Sequence, residues 1–196
     1  MTVAAVILAA GAGTRIGGPK ALLRIGGETF LARLVARFER PGIDRVIAVV
    51  GHEAERVQRE AGAPPSTVFA VNERAGEGML TSIWRALDEA DAAGADAVLL
   101  HPVDHPLVEA ATIDRVLGAL EAGSVIAVPS RDGRRGHPGG FARAAWPALR
   151  DAPADAGARA VLAAHPEWIT HVPGGPGCLA GIDTPADYER LIGPWP

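Results

Sequence analysis

One cysteine in 196 residues, Cys178, excludes an internal disulfide and any metal site built on a cysteine cluster. The chain also lacks an excess of positive charge. Its 19 Lys and Arg against 23 Asp and Glu give a formal net charge of −4, which argues against a nucleic-acid or anionic-membrane surface. Any anionic ligand must then be met by local Arg and Lys. No apolar run approaches the length of about 18 residues needed to span a bilayer. The stretch 3–10 is apolar, but no basic residue precedes it and it runs straight into a glycine loop, unlike a signal-peptide core. A soluble cytoplasmic protein is the expectation. There is no internal repeat, low-complexity tail or long linker, and the 24 Gly and 16 Pro fall at turns between periodic segments. The length suits one α/β domain over residues 1–196.

Two common phosphate motifs are missing as well. The dinucleotide fingerprint needs a third glycine where Ile16 stands, with Gly17 one place late. No acidic residue closes the second strand, where Val49-Val50-Gly51-His52 stands. The Walker loop fails too, because Gly13-x4-Gly18 is followed by Pro19 and not by Lys and Ser or Thr. A redox role for the loop is correspondingly disfavoured.

What is present is an alternation of short apolar runs and helix-spaced segments. Residues 3–9, 45–50, 67–71, 97–100 and 125–129 read as parallel strands covered on both faces. Residues 29–39, 54–61, 79–93 and 110–121 read as helices between them. Beyond these, 136–141 and 177–182 are expected as strands, with helices near 155–164 and 185–192. Thr184-Pro185 is a helix start, with a capping side chain and proline at the first helical position. The pattern predicts a Rossmann-like, doubly wound, mostly parallel sheet, with ligands at the C-terminal ends of its strands.

The first strand runs into Leu8-Ala9-Ala10-Gly11-Ala12-Gly13-Thr14-Arg15-Ile16-Gly17-Gly18-Pro19-Lys20. Small residues there let backbone N–H groups approach a phosphate, while Lys20 supplies a point charge and Arg15 a fork for two oxygens. Asp104 stands just past another strand end, so the sheet delivers both segments to one rim. A lone Lys or Arg is usually a solvated loop charge, and an aspartate near proline is often a turn residue. Both alternatives weaken when the groups converge on a glycine loop. His101 and His105 flank Asp104 without a closed ligand set for zinc, and read as loop or supporting residues.

The loop, continued through Leu22-Leu23, resembles the signature of the MobA-like NTP-transferase family, and within it the molybdenum-cofactor cytidylyltransferase branch. The resemblance continues in order through 78–87, 103–106, 136–141, 155–159 and 181–191. It implies the nucleotide-diphospho-sugar transferase type of sheet, with a small irregular antiparallel extension on the acceptor side. It implies that Leu8, Ala9, Ala10, Gly11, Gly13, Thr14, Arg15 and Lys20 bind the nucleotide, together with Gly78, Thr81 and Ser82 near the base. Ser82 has an alternative as a helix cap. It further implies a Mg²⁺ ion on Asp104, with Asp183 as a second ligand or an aid to the acceptor. Gly181 stands where the family carries another acidic residue, and a helix-entry role for Asp183 stays open. Arg15, Lys20 and Asp104 would be catalytic. Arg134, Arg135, His137, Asp155 and Arg159 would receive a phosphorylated acceptor such as molybdopterin, against alternatives of an exposed turn for the two arginines and a helix cap for Asp155.

The same resemblance implies CTP over GTP, with ATP open, because the family's guanylyl branch carries Leu-Ala-Gly-Gly and Asp-Lys where this chain has Leu8-Ala9-Ala10-Gly11 and Pro19-Lys20. The expected reaction moves CMP from CTP to the acceptor phosphate and releases pyrophosphate. A molybdoenzyme is the implied downstream partner, and the oligomeric state is open. Two other readings stand beside it: transfer to a sugar or polyol phosphate, and a non-catalytic protein that carries nucleotide or molybdopterin to a molybdoenzyme.

Overall fold

The computed structural model describes residues 1–154 and 156–195. In chain order the elements are β1 (Val3–Ala9), β2 (Arg24–Ile25), β3 (Glu28–Thr29), α1 (Phe30–Phe38), β4 (Arg45–Val50) and α2 (Ala54–Glu60). They continue with β5 (Val68–Val71), α3 (Met79–Ala92), β6 (Ala97–Pro102), α4 (Ala110–Glu121), β7 (Ile126–Arg131) and β8 (Arg134–Arg135). Then come β9 (Gly139–Ala142), α5 (Trp146–Asp151), α6 (Ala158–Ala164), β10 (Ile169–Pro173) and α7 (Pro185–Leu191). The main sheet runs β10-β7-β9-β6-β1-β4-β5, with β8 paired to β7. β1 is parallel to both β4 and β6, and β4 to β5; β9 is antiparallel to both β6 and β7.

The alternation of side chains along β1 explains the layers. Val3, Ala5, Ile7 and Ala9 face a core shared with α1, α2 and α4, while Ala4 and Val6 face a second core with α3, α5 and α6. Two covered faces require strands apolar on both sides, as β1, β4 and β6 are. Among the described residues no helix is long and apolar enough to cross a membrane.

The expected parallel sheet and its helices are present within a residue or two of the predicted ends. Three differences matter. Residues 177–182 are not a strand; Pro176–Leu179 forms a 3₁₀ turn instead. Only Gly139–Ala142 of the expected 136–141 strand is extended in the sheet, where it runs antiparallel between β6 and β7; a separate small antiparallel sheet is formed by β2 and β3. Gly140 lets β9 pack on α4, where a Cβ would meet Val116 at 2.7 Å and Leu120 at 2.8 Å. The strand β10, the two-residue β8 and helix α5 were not anticipated. β10 is a half-polar edge strand, and α5 has only six residues, too few to show a period.

Candidate functional site

Two strand ends and the segment that enters α7 converge on one rim. β1 runs into the glycine loop, whose fold depends on Gly13: it has φ 60°, and a Cβ there would stand 1.8 Å from the Gly18 carbonyl oxygen. The N–H groups of Ile16 and Gly18 both donate to the Gly13 carbonyl. The N–H groups of Gly11, Ala12 and Gly13 find no carbonyl partner among the described residues. Three adjacent donors at a strand end form a cradle for an anion.

β6 continues past Pro102 into the turn that carries Asp104. The Val103 N–H donates to the Leu8 carbonyl at 3.1 Å and so ties this turn to β1. Asp183 arrives from the far end of the chain, where the Ile182 N–H donates to the Asp104 carbonyl at 2.9 Å. Directly after it, Thr184 caps α7: its hydroxyl accepts the Asp187 N–H, and the Asp187 carboxylate accepts the Thr184 N–H in return.

The ion cluster is compact. Lys20 Nζ donates to Asp104 Oδ2 at 2.9 Å and to Asp183 Oδ1 at 2.6 Å. Arg15 lies on the outside, 73% exposed, 3.8 Å from Asp183. Burial alone would lower the Lys20 pKa, but the bond to Asp183 and the charge of Asp104 outweigh it and leave the ammonium above its ordinary value. The Asp183 carboxyl is held below its ordinary value, chiefly by the hydrogen bond from Lys20.

These groups line a cavity of about 420 Å³ together with Leu8, Ala10, Gly11, Gly13, Thr14, Gly78, Met79, Ser82 and Pro102. Thr81 is turned away from that role. It is 3% exposed, and its hydroxyl accepts from Asn72 and donates to the Gly78 carbonyl at 2.8 Å. Helix α3 begins after Gly78 without a side-chain cap, so Ser82 is not its cap.

A second cavity of about 560 Å³ adjoins the first through Leu8, Met79 and Pro102. Its wall is largely apolar, with Ile83, Leu100, Val128, Phe141 and Leu162, and it carries Arg135, His137 and Arg159. Arg134 sits exposed on β8 and does not line this cavity among the described residues, which corrects its expected placement. Asp155 lies outside the described residues.

A column of three histidines stands behind Asp104. His101 is not a loop residue but the fifth residue of β6, fully buried, with its ring 5.2 Å from that of Phe38. Its Nε2 is 2.9 Å from the His105 carbonyl and braces the turn that presents Asp104. The His105 and His137 rings are 4.7 Å apart, and His105 Nε2 is 3.8 Å from Asp104 Oδ1. Burial drives the His101 pKa far down and lowers that of His105 against the pull of Asp104. Burial, then His105 and Arg159, bring His137 to about 3, so its ring is neutral near pH 7.

The residues suit a divalent cation shared with a phosphate ligand. Two carboxylates converge on one ammonium, and Asp104 Oδ1 is buried with no hydrogen-bond partner among the described residues. Among those residues no group of three or more His, Cys, Asp or Glu forms an all-protein metal cage. Two carboxylates with phosphate and water completing the shell is a donor set that Mg²⁺ accepts.

Comparison with known proteins gives this geometry a context. A family model described as the MobA-like NTP transferase domain matches residues 5–168. The 2-C-methyl-D-erythritol 4-phosphate cytidylyltransferase of Cereibacter sphaeroides strain KD131 is 38% identical over 139 residues, which are 67% of this chain and 60% of that protein. The chain therefore matches less than two thirds of that relative's length. The crystal structure of a homologue of Mycobacterium tuberculosis Rv0371c from Mycobacterium sp. strain JC1 superposes with a TM-score of 0.84 at 26% identity, over 97% of this chain and 94% of that one. Rv0371c of M. tuberculosis H37Rv, solved in complex with manganese, superposes at 0.77 with 27% identity over 98% of both chains.

Asn72 and the apolar wall of the second cavity were missed by sequence reasoning. Asn72 is an ordinary loop residue in the sequence, and the wall comes from positions scattered between Leu8 and Leu162. Neither leaves a contiguous signal.

Proposed function

Since the chain belongs to the MobA-like NTP transferase family, we propose that it is one metal-dependent nucleotidyltransferase domain over residues 1–196. It transfers a nucleoside monophosphate, CMP from CTP in the first instance, to a phosphorylated small-molecule acceptor. The observation that carries this reading is the convergence of the glycine cradle, Lys20, Asp104 and Asp183 on one cavity that adjoins a second, arginine-bearing one.

In this reading the N–H groups of Gly11 to Gly13 bind phosphate oxygens, with Leu8, Ala9, Ala10 and Thr14 shaping the cradle. Arg15 takes two oxygens through its fork and Lys20 neutralises the leaving group. Asp104 and Asp183 would hold the divalent cation, Mg²⁺ in our assignment, which supplies charge neutralisation at the reacting phosphates when bound. Gly78 and Ser82 meet the base. Arg135 and Arg159 hold the acceptor phosphate beside the neutral His137, which orients it. An acceptor phosphate oxygen attacks the α-phosphorus, the bond to the bridging oxygen breaks, and pyrophosphate leaves with the electron pair. The attacking phosphate is already ionised near pH 7, so no general base is needed, and no covalent enzyme intermediate forms.

For the acceptor, the apolar second cavity favours a flat ring bearing a phosphate, of which molybdopterin is the proposed example, with delivery to a molybdoenzyme. The similarity to a methylerythritol phosphate cytidylyltransferase supports transfer to a sugar or polyol phosphate as the second reading. Exchange of radiolabelled pyrophosphate into CTP separates the alternatives. Exchange with molybdopterin and not with methylerythritol phosphate is the expected result; the reverse establishes the second reading. No exchange with either, despite CTP binding, means a carrier and overturns the enzyme.

A further inference from the structure

Lys20 opens a 3₁₀ turn, Lys20–Leu22, that follows Pro19. The Leu22 N–H donates to the Pro19 carbonyl at 3.0 Å, and the Leu23 N–H to that of Lys20 at 3.1 Å. Ala21 between them is buried, so the backbone is held and the four-carbon stem of Lys20 is the part that can swing. The two carboxylates it reaches are held as well. The Ile182 N–H donates to the Asp104 carbonyl at 2.9 Å and so ties the carrier of Asp183 to Asp104.

Lys20 Nζ stands between these carboxylates, 2.9 Å from Asp104 Oδ2 and 2.6 Å from Asp183 Oδ1, with its side chain 16% exposed. One cation shared by an oxygen from each carboxylate is also the arrangement assigned above to the divalent ion. Of the Asp104 oxygens, Oδ2 carries the bond to Lys20 and Oδ1 is buried. A bare ion arriving from water therefore meets a pair that an ammonium already holds. It must shed hydration and then sit beside a like charge. A triphosphate changes both conditions. Lys20 lines one cavity with Gly11 and Gly13, so phosphate oxygens held there offer the ammonium new partners, and they bring the ion ligands of their own.

We propose that the Lys20 ammonium is the resident occupant of the cation position, and that a divalent ion enters with a triphosphate that draws the ammonium away. Run backwards, the exchange releases the ion with pyrophosphate as Lys20 returns to Asp104 and Asp183. Beyond meeting the leaving group, Lys20 thus sets the order in which the site fills. The inference rests on the metal-dependent nucleotidyltransferase reading above and names how its metal and nucleotide are coupled. Arg15 is not equivalent to Lys20. It is 73% exposed and 3.8 Å from Asp183, where water screens its charge.

The test follows Mn²⁺, which accepts the oxygen ligands that Mg²⁺ accepts, through the paramagnetic resonance signal of the free ion. Wild type, Lys20→Met and Arg15→Met are titrated without nucleotide. Methionine keeps an unbranched stem and removes the charge. Lys20→Met is expected to bind bare Mn²⁺ more tightly than wild type by about tenfold or more. The same variant should lose about tenfold or more in affinity for inorganic triphosphate, measured by calorimetry without metal. Opposite shifts mark an exchange of cations, because damage to the site weakens both ligands. Arg15→Met should stay within about threefold of wild type for Mn²⁺. A folded Lys20→Met protein with no gain for Mn²⁺ overturns the proposal. An equal gain in Arg15→Met also overturns it, since net charge alone then explains the effect. If thermal unfolding shows that Lys20→Met does not fold, Lys20→Gln takes its place, and an unchanged Mn²⁺ affinity overturns the proposal. Titration of wild type with CTP, with and without Mn²⁺, tests the underlying reading separately. If the metal leaves CTP binding unchanged, that reading fails, and the Lys20 assignment stands or falls on the bare-ion comparison.

Discussion

The two adjoining cavities share a wall at Leu8, Met79 and Pro102 but are constructed differently. The first is made of loops that leave parallel strands at their C-terminal ends, and its working groups are backbone donors and charges. The second lies over the antiparallel insertion of β9 between β6 and β7, and its working surface is apolar with three nitrogen-bearing side chains at its edge. A triphosphate is much the same object in every nucleotidyl transfer, so a rigid loop with fixed donors serves it. An acceptor differs from one reaction to another, and a pocket lined by side chains from scattered elements can be refitted one residue at a time. On the proposed function, the comparison teaches that the chemistry and its target are carried by separable parts of the fold.

That separation can be broken at either side. The largest effect is expected from Lys20→Ala, which removes the ammonium that we propose meets the leaving group and that donates to both Asp104 and Asp183. Turnover should fall by about 100-fold or more, the scale of losing one preorganised donor at a developing charge. Steady-state kinetics with saturating acceptor measures it. Arg159→Ala should act on the other side alone. It is expected to raise the acceptor KM by about tenfold, the scale of one charge-assisted bond, with nucleotide affinity unchanged. A loss of CTP affinity in that variant would show that the two cavities are not separable.

The smallest effect concerns pH. His137 is held at about 3 by burial, by His105 and by Arg159, while a histidine in the unfolded chain titrates near 6.5. Between those values the unfolded state binds more protons, so stability falls as pH falls from about 6.5 toward 3. His101, buried against His105 and His137, contributes in the same direction. For His137 the loss should be about 1.6 kcal/mol between pH 6.5 and 5. Denaturant titrations at the two pH values measure it. His137→Leu is expected to flatten the dependence, and a profile as steep as wild type would contradict the assignment of a neutral ring.

How much of this was legible beforehand follows the same division. β1, its glycine loop and the turn of Asp104 are contiguous in sequence, and each showed itself through an apolar run that ends in small or charged residues. Thr184-Pro185 was equally plain, because a helix cap is a local interaction. His101 was misplaced because it stands at the end of an apolar run and nothing local marks a buried histidine. The 177–182 segment was misread because its glycines serve close approach and not extension: a Cβ on Gly177 would meet the Leu107 carbonyl oxygen at 1.9 Å. Thr81 and Ser82 are adjacent hydroxyls in sequence, and only the folded positions of the Arg74 and Gly78 carbonyls tell which one spends its proton inside the protein. Long-range partners decide such details, and they leave no period or spacing to read.

The central claim is that Asp104 and the glycine loop hold a metal-bound nucleoside triphosphate. Calorimetric titration of CTP, with and without Mg²⁺, on wild type and Asp104→Ala tests it most directly. The account predicts binding by wild type that strengthens with the metal, and loss of that metal dependence in the variant. Equal binding with and without metal, or a variant that responds to metal as wild type does, would contradict it.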